Sequence, residues 1–287
     1  MSDEDEKKPE MMSVLDFQEL FAGAESMAIV GSASSVLQWK NGEFIDSHDI
    51  VVRFNRTVVD GMEESIGART DIIVANDSNS LEKAPSPECA SKPKCVVGFV
   101  KPTSVGTRTK EDRKKFLDWV ANTPLFFCPG PEVMCCDMPA RHRGFSMGTY
   151  ALIGLPAFLN IKRLFVTGFT MFGESSGGID HHTKKSSRAS VTWHDADLER
   201  YVAANVLGHY GGDLTVTEEV AEFMAKEGFT AKVHDGEKGD KAFKPRRGLA
   251  VGWYLLGRIG KLLLTSGYHI RRFAEKRASI RSKRKLG

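Results

Sequence analysis

Residues 27–55, MAIVGSASSVLQWKNGEFIDSHDIVVRFN, decide the fold. The apolar run 27–31 ends in Gly31 and passes into the small residues Ser32, Ala33, Ser34 and Ser35. That is the pattern of a buried strand feeding a tight turn and a helix. A second apolar strand, DIVVRFN over 49–55, opens on Asp49 and closes on Asn55. Working outward, DIIVAN (71–76), CVVGFV (95–100), LFFC (125–128) and RLFVTGF (163–169) read as further strands. Helical patterns fall at 14–22, 146–160, 195–207 and 216–227, with Pro156 expected to kink the second of these. Such alternation predicts an α/β fold with a single Rossmann-like, parallel-type central sheet flanked by helices. Residues 101–118 read as a charged loop leading into a surface helix. The stretch 170–193, rich in Gly, Ser and Lys, is too long for a plain connector and is a candidate active-site loop.

The 287 residues suffice for one large core with a small appendage. A net charge of +3 hides an asymmetry: residues 241–287 carry 14 Lys or Arg against Glu275 alone, leaving the first 240 residues at −10. An acidic body with a basic tail suggests that the tail meets an anionic surface, membrane or nucleic acid, and the acidic body disfavours the latter. In 249–273 the apolar Leu255, Leu256, Ile259, Leu262, Leu263, Ile270 and Phe273 share one helical face flanked by Arg258, Lys261, Arg271 and Arg272. This is the pattern of an amphipathic helix on an anionic leaflet, and the competing reading is a terminal helix packed on the body. Five cysteines, Cys89, Cys95, Cys128, Cys135 and Cys136, form an odd set without zinc-like spacing and fit a reducing compartment. The polar, acidic start MSDEDEKKPE lacks the features of a signal peptide, and no apolar run is long enough to span a bilayer. The expected organisation is a disordered leader over 1–13, a catalytic body over 14–235 in the cytoplasm, and a linker with a basic tail over 236–287, able to reach the inner face of the membrane.

Two strand-to-helix junctions could hold a nucleotide. One is Gly31 with Ser32 and Ser34, where small residues let backbone approach a phosphate; the competing reading is a tight turn. The other is Ser146 with Gly148, a helix cap whose missing side chain could let a ligand close on free amides. Arg53 and Asn55 alternate along their strand and would share a face at its carboxyl end, where open α/β sheets place ligands. A salt bridge from Arg53 to Asp46 or Asp49 is the structural alternative. His181, His182 and His194 put three of eight histidines within fourteen residues. Thr192 is a plausible cap for a helix bearing Asp195 and Asp197, which would place His194 in its first turn as a proton acceptor. Competing readings are a D-x-D metal site at Asp195–Asp197, awkward because residues two apart on a helix diverge by about 200°. Zinc on His181, His182, His194 and Asp195, or a purely structural histidine cluster, are further alternatives.

Taken together these residues resemble the eukaryotic-type sialyltransferase family. Val30-Gly31, then Ile45-Asp46-Ser47-His48-Asp49 running to Arg53-Phe54-Asn55, and Gly67-Ala68-Arg69-Thr70 are similar to its large motif. Residues 146–169, from Ser146-x-Gly148 to Gly168-Phe169, resemble the small motif. His194 to Glu199 resembles the very small motif, and His181-His182 fall where the family has its third motif.

The resemblance implies a variant nucleotide-sugar glycosyltransferase fold and inverting, metal-independent transfer from a CMP-activated sugar, with no cofactor. Carried over, Gly31, Ser32, Ser34, Asn55, Ser146, Gly148 and Gly168 line the nucleotide site. His181 or His182 approaches the phosphate, His194 is the catalytic base, and Arg53, Asp195 and Glu199 support. The implied partners are a CMP-sugar donor, CMP-sialic acid or CMP-Kdo, and a glycan or glycolipid acceptor such as lipooligosaccharide. The chain departs from the family in carrying Ser32 where Asn is usual. Met27 and Asn160 or Ile161 stand where the family has disulfide cysteines. His182-Thr183 replaces the third motif's aromatic pair. The alternative to catalysis is a nucleotide- or nucleic-acid-binding protein with the basic tail as its arm.

Overall fold

The structure, a computed structural model, describes residues 11–55, 59–75, 93–100, 123–129, 145–171, 179–181, 184–187 and 196–239, all in one compact unit. Its strands are β1 (Ser26–Val30), β2 (Ile50–Phe54), β3 (Ile72–Val74), β4 (Cys95–Val100), β5 (Leu125–Pro129), β6 (Arg163–Thr167), β7 (Ile179–His181), β8 (Lys184–Ser187), β9 (Asp213–Val216) and β10 (Lys232–Val233). Its helices are α1 (Val14–Leu20), α2 (Gly42–Asp46), α3 (Glu63–Ile66), α4 (Met147–Phe158), α5 (Ala196–Gly208) and α6 (Glu218–Lys226). Eight strands form one sheet in the order β10-β9-β6-β1-β2-β3-β4-β5. Every neighbouring pair in it is parallel. The Rossmann-like α/β architecture expected from the alternation of apolar runs is the one observed.

Both faces of β1 are covered, which explains its unbroken apolar run. Met27 and Ile29 enter a large cluster with Phe17, Phe126, Tyr150, Leu155 and Phe223, under α1, α4 and α6. Ala28 and Val30 point the other way and meet Val36, Ile45, Val51, Ile66 and Phe165. A capping box starts α1: the Ser13 hydroxyl accepts from the Asp16 amide at 3.1 Å and the Asp16 carboxylate accepts from the Ser13 amide at 3.0 Å. Phe17, one turn on, then stacks on Phe126 at 4.1 Å between ring centres. Pro156 does lie inside α4, among buried residues. Cys95 and Cys128 are free, buried thiols, both pushed up to about 12 by burial.

Four details differ from the sequence reading. The small residues after β1 form a five-residue 3-10 turn (Ser34–Gln38) and no α-helix, because Trp39 turns extended to bridge Lys238. Residues 237–239, read as linker, are tied to this turn: the Lys40 amide donates to the Glu237 carbonyl and the Gly239 amide to the Gln38 carbonyl. The pattern read as one helix over 216–227 divides, with Val216 closing β9 and Thr217 standing at the start of α6. The stretch 170–193 contains the antiparallel pair β7 and β8. Among the described residues no helix is long and apolar enough to cross a membrane. Residues 1–10, 101–118 and the tail beyond 239 lie outside the described residues, whereas residues 11–13 of the expected leader are ordered: Met11 bridges Leu125 and Ser13 caps α1.

Candidate functional site

In the sheet, β1 has β2 to β5 on one side and β6, β9 and β10 on the other. The strand order therefore reverses between β1 and β6, and open α/β sheets bind ligands in the crevice outside the carboxyl ends at such a point. Gly31 follows β1 and Gly168 follows β6. The Gly31 amide donates to the Thr167 carbonyl at 2.8 Å and the Ala33 amide to the Gly168 carbonyl at 3.0 Å. A side-chain carbon on Gly31 would overlap the Gly168 carbonyl, and one on Gly168 would lie 2.6 Å from the Gly31 oxygen. Gly168 also has φ +74°, a left-handed conformation that favours glycine. These two glycines let the chain segments leaving the two strands touch backbone to backbone.

The small-motif residues join the same crevice. Phe169 packs against Gly31, and its ring would meet a side-chain carbon on Gly148 at 2.8 Å. The space expected to admit a ligand beside Gly148 is thus filled by Phe169, whose ring also meets Phe54 edge-on at 5.8 Å. Ser146 caps α4 as expected, accepting from the Thr149 amide at 3.3 Å. The Glu199 carboxylate, fully buried in α5, accepts from the Ser146 amide at 3.0 Å and from the Thr149 hydroxyl at 2.7 Å. Glu199 therefore fastens the start of α4 to α5, a supporting role consistent with its place in the motif that opens at His194.

Asn55 lies just beyond β2 with φ +49°, its amide donating to the Val74 carbonyl at 2.9 Å. The alternation that would give it the face of Arg53 stops at Phe54, so the two are not a ligand-facing pair. Arg53 is buried on the face of Val51. Its Nε donates to the Arg69 carbonyl at 2.9 Å and the Thr70 hydroxyl at 3.1 Å, and its Nη2 to the Ile66 carbonyl at 2.6 Å and the Gly67 carbonyl at 3.1 Å. All four acceptors belong to the segment entering β3. Burial pulls the Arg53 guanidinium down to about 10, against the attraction of Asp46 and Asp71. Asp46 accepts from the Ala68 and Arg69 amides at 2.7 and 3.0 Å. Asp49 accepts from the Glu25 and Ser26 amides at 3.0 and 2.9 Å, while His48 Nδ1 meets the Phe44 carbonyl at 2.8 Å. The charged part of the large motif is scaffold; its ends, Gly31 and Asn55, are the parts at the strand tips.

Glu219 was not singled out in the sequence, where it lies within the helical pattern of 216–227. Its carboxylate accepts from the Gly168 amide at 2.9 Å. Gly168, expected to line the nucleotide site, thus has its amide already engaged. Burial pushes the Glu219 carboxyl up, against the lowering effect of Thr217 and the Gly168 amide. Ser32 and Ser34 sit half-buried in the turn after Gly31. His181 is placed by its backbone in β7, opposite Lys184. His182, His194 and Asp195 lie outside the described residues. Helix α5 begins at Ala196, after Thr192, and Asp197 pairs with Arg200 at 3.2 Å. Among the described residues no group of three or more His, Cys, Asp or Glu is placed to hold a metal ion.

Residues 10–101 match the family described as Glycosyltransferase family 29 (sialyltransferase). Over 54 residues, 19% of this chain and 10% of the relative, the sequence is 44% identical to a human beta-galactoside alpha-2,6-sialyltransferase 2. Over 70 residues, 24% of this chain and 16% of the relative, it is 33% identical to a beta-1,6-galactosyltransferase of Arabidopsis thaliana. The match to the human protein thus spans about a tenth of that relative's length. A solved mammalian sialyltransferase is similar at 17% identity and TM-score 0.42, covering 81% of this chain and 82% of its own.

Proposed function

From the match of residues 10–101 to the sialyltransferase family, we propose that the chain transfers an acidic keto sugar from a CMP-activated donor to a glycan hydroxyl with inversion. The observation that supports this reading is the meeting of three motif segments at one end of the sheet. Gly31 touches Gly168 and Phe169, Phe169 fills the space at Gly148, and Glu199 holds Ser146. In this reading the cytidine monophosphate moiety binds outside the carboxyl ends of β1 and β6, near Ser32, Ser34, Asn55 and Ser146.

The chemistry suits such a site. The donor's anomeric carbon already bears a carboxylate and departs as an oxocarbenium-like centre, so the protein must stabilise the leaving phosphate and accept one proton. His194 takes that proton from the acceptor hydroxyl, and His181 or His182 meets the phosphate. A single phosphate in the donor bridge needs no chelating carboxylate pair, so a chelator should leave turnover unchanged. CMP-sialic acid and CMP-Kdo are the two donors of this class. A galactosyltransferase among the relatives makes a UDP-sugar the competing donor. The basic tail, 248–287, would bring the enzyme to an anionic membrane bearing a glycolipid acceptor.

Thermal unfolding in the presence of nucleotides tests the donor class. CMP at about a hundredfold excess over its Kd is expected to raise the midpoint by roughly 5–10 °C. AMP, UMP, UDP and an oligonucleotide should do markedly less. Equal stabilisation by UDP would favour the galactosyltransferase-like reading, and preference for the oligonucleotide would favour a nucleic-acid-binding protein.

A further inference from the structure

Resting on that nucleotide assignment, we propose that Glu219 is a positioning residue of the crevice that must carry a proton for an anionic nucleotide to bind. Its place in the fold makes the case. Glu219 lies in the first turn of α6, directly after Thr217 and β9, so the chain delivers its carboxyl to the carboxyl end of β6. There it accepts from the Gly168 amide at 2.9 Å, at the residue whose backbone lies against Gly31. In open α/β sheets the crevice at this switch point takes the ligand. Here an internal carboxyl occupies it, so a ligand phosphate entering the same crevice would meet a second acid group rather than a free donor.

Among the described residues, the groups facing this carboxyl are polar and neutral. They are the Gly168 amide after β6, the Thr217 side chain after β9, the carboxyl's own backbone amide, and the Ser35 hydroxyl of the 3-10 turn. Ser35 is buried, with its hydroxyl near enough to lower the carboxyl's pKa. Thr217 is itself bonded to Thr167 at 3.2 Å. A charged carboxylate in this setting would repel a phosphate, whereas a protonated one can keep the Gly168 amide on its carbonyl oxygen and present its own O–H. Burial pushes this carboxyl up, against the lowering effect of the hydrogen bonds it accepts, so its neutral form persists to higher pH than that of a solvated glutamate. The sign follows: the neutral form prevails at lower pH, and affinity for an anion declines as pH rises through the carboxyl's pKa. Loss of the proton should weaken binding roughly 10- to 100-fold, the scale of one like-charge pair several ångströms apart at an effective dielectric near 20.

The probe is cytidine 5′-(methyl phosphate), whose single negative charge does not titrate between pH 5 and 8.5. Its Kd is measured across that range for the full chain and for Glu219→Gln, which keeps a carbonyl for the Gly168 amide. The wild type should lose affinity by about one order of magnitude or more beyond the decline seen in Glu219→Gln, which keeps only the part due to the imidazole at the phosphate. A full pH-dependent decline retained in Glu219→Gln overturns the proposal and leaves the nucleotide reading standing. Failure of the probe to bind either protein at any pH overturns the nucleotide reading, and this inference with it. Should Glu219→Gln not fold, Glu219→Asp decides: a displaced midpoint supports the proposal, and an unmoved one contradicts it.

Discussion

Replacing His194 with alanine is expected to lower kcat by about 10²–10⁴-fold, the usual contribution of a positioned general base. Affinity for CMP should stay within about twofold, because in the proposed mechanism the imidazole serves the acceptor hydroxyl rather than the nucleotide. His194 opens the motif that Glu199 closes, and Glu199 is buried with its carboxylate on Ser146 and Thr149. That anchor ties the motif to the start of α4. The pH profile gives a second readout. A base must be neutral, so wild-type kcat should rise with pH through the imidazole pKa, near 6.5 when unperturbed, and level off above it. In His194→Ala that limb should vanish. Normal turnover in the variant would remove His194 from the mechanism.

Replacing Arg53 with methionine should cost about 3–5 kcal/mol of stability, lowering the unfolding midpoint on the order of 10 °C. Methionine fills much of the same space, so lost packing is a minor part. What is lost is the guanidinium fork that serves the Ile66, Gly67 and Arg69 carbonyls and the Thr70 hydroxyl in the interior. Buried carbonyls left without a donor carry a desolvation penalty that methionine cannot relieve. Asp46 and Asp71 would also lose a nearby positive charge. Differential calorimetry reads the effect directly. A midpoint within about 2 °C of the wild type would show that water or a rearranged loop replaces the fork.

The central strands were legible because burial on both faces leaves β1, β2 and β6 as mainly apolar runs, with Arg53 the charged exception inside β2. The edge of the sheet was not. Strand β9, DLTV, is half-polar and only its Val216 is buried, while β10 has two exposed residues. Neither has a pattern that separates it from a loop or from the helix that follows. Asn55 shows another limit: alternation assigns faces only while the strand continues, and a positive φ at its end cancels the assignment. In the site, Ser146 and Glu199 were legible through their motif spacing, although the bond between them spans 53 positions and was not. Glu219 carried no local signal, since two acids in a first turn are what a helix dipole favours anyway. Its place at Gly168 is set by the packing of α6 beside β6. Only the assembled sheet brings it there.

Catalysis of a CMP-sugar transfer is tested most directly by incubating the full chain with CMP-sialic acid and CMP-Kdo in parallel, each with a glycan acceptor, and following CMP release. Acceptor-dependent release from one of the two donors, unchanged by a chelator and abolished in His194→Ala, is the result predicted. No release from either donor, with UDP-galactose consumed instead, would contradict it.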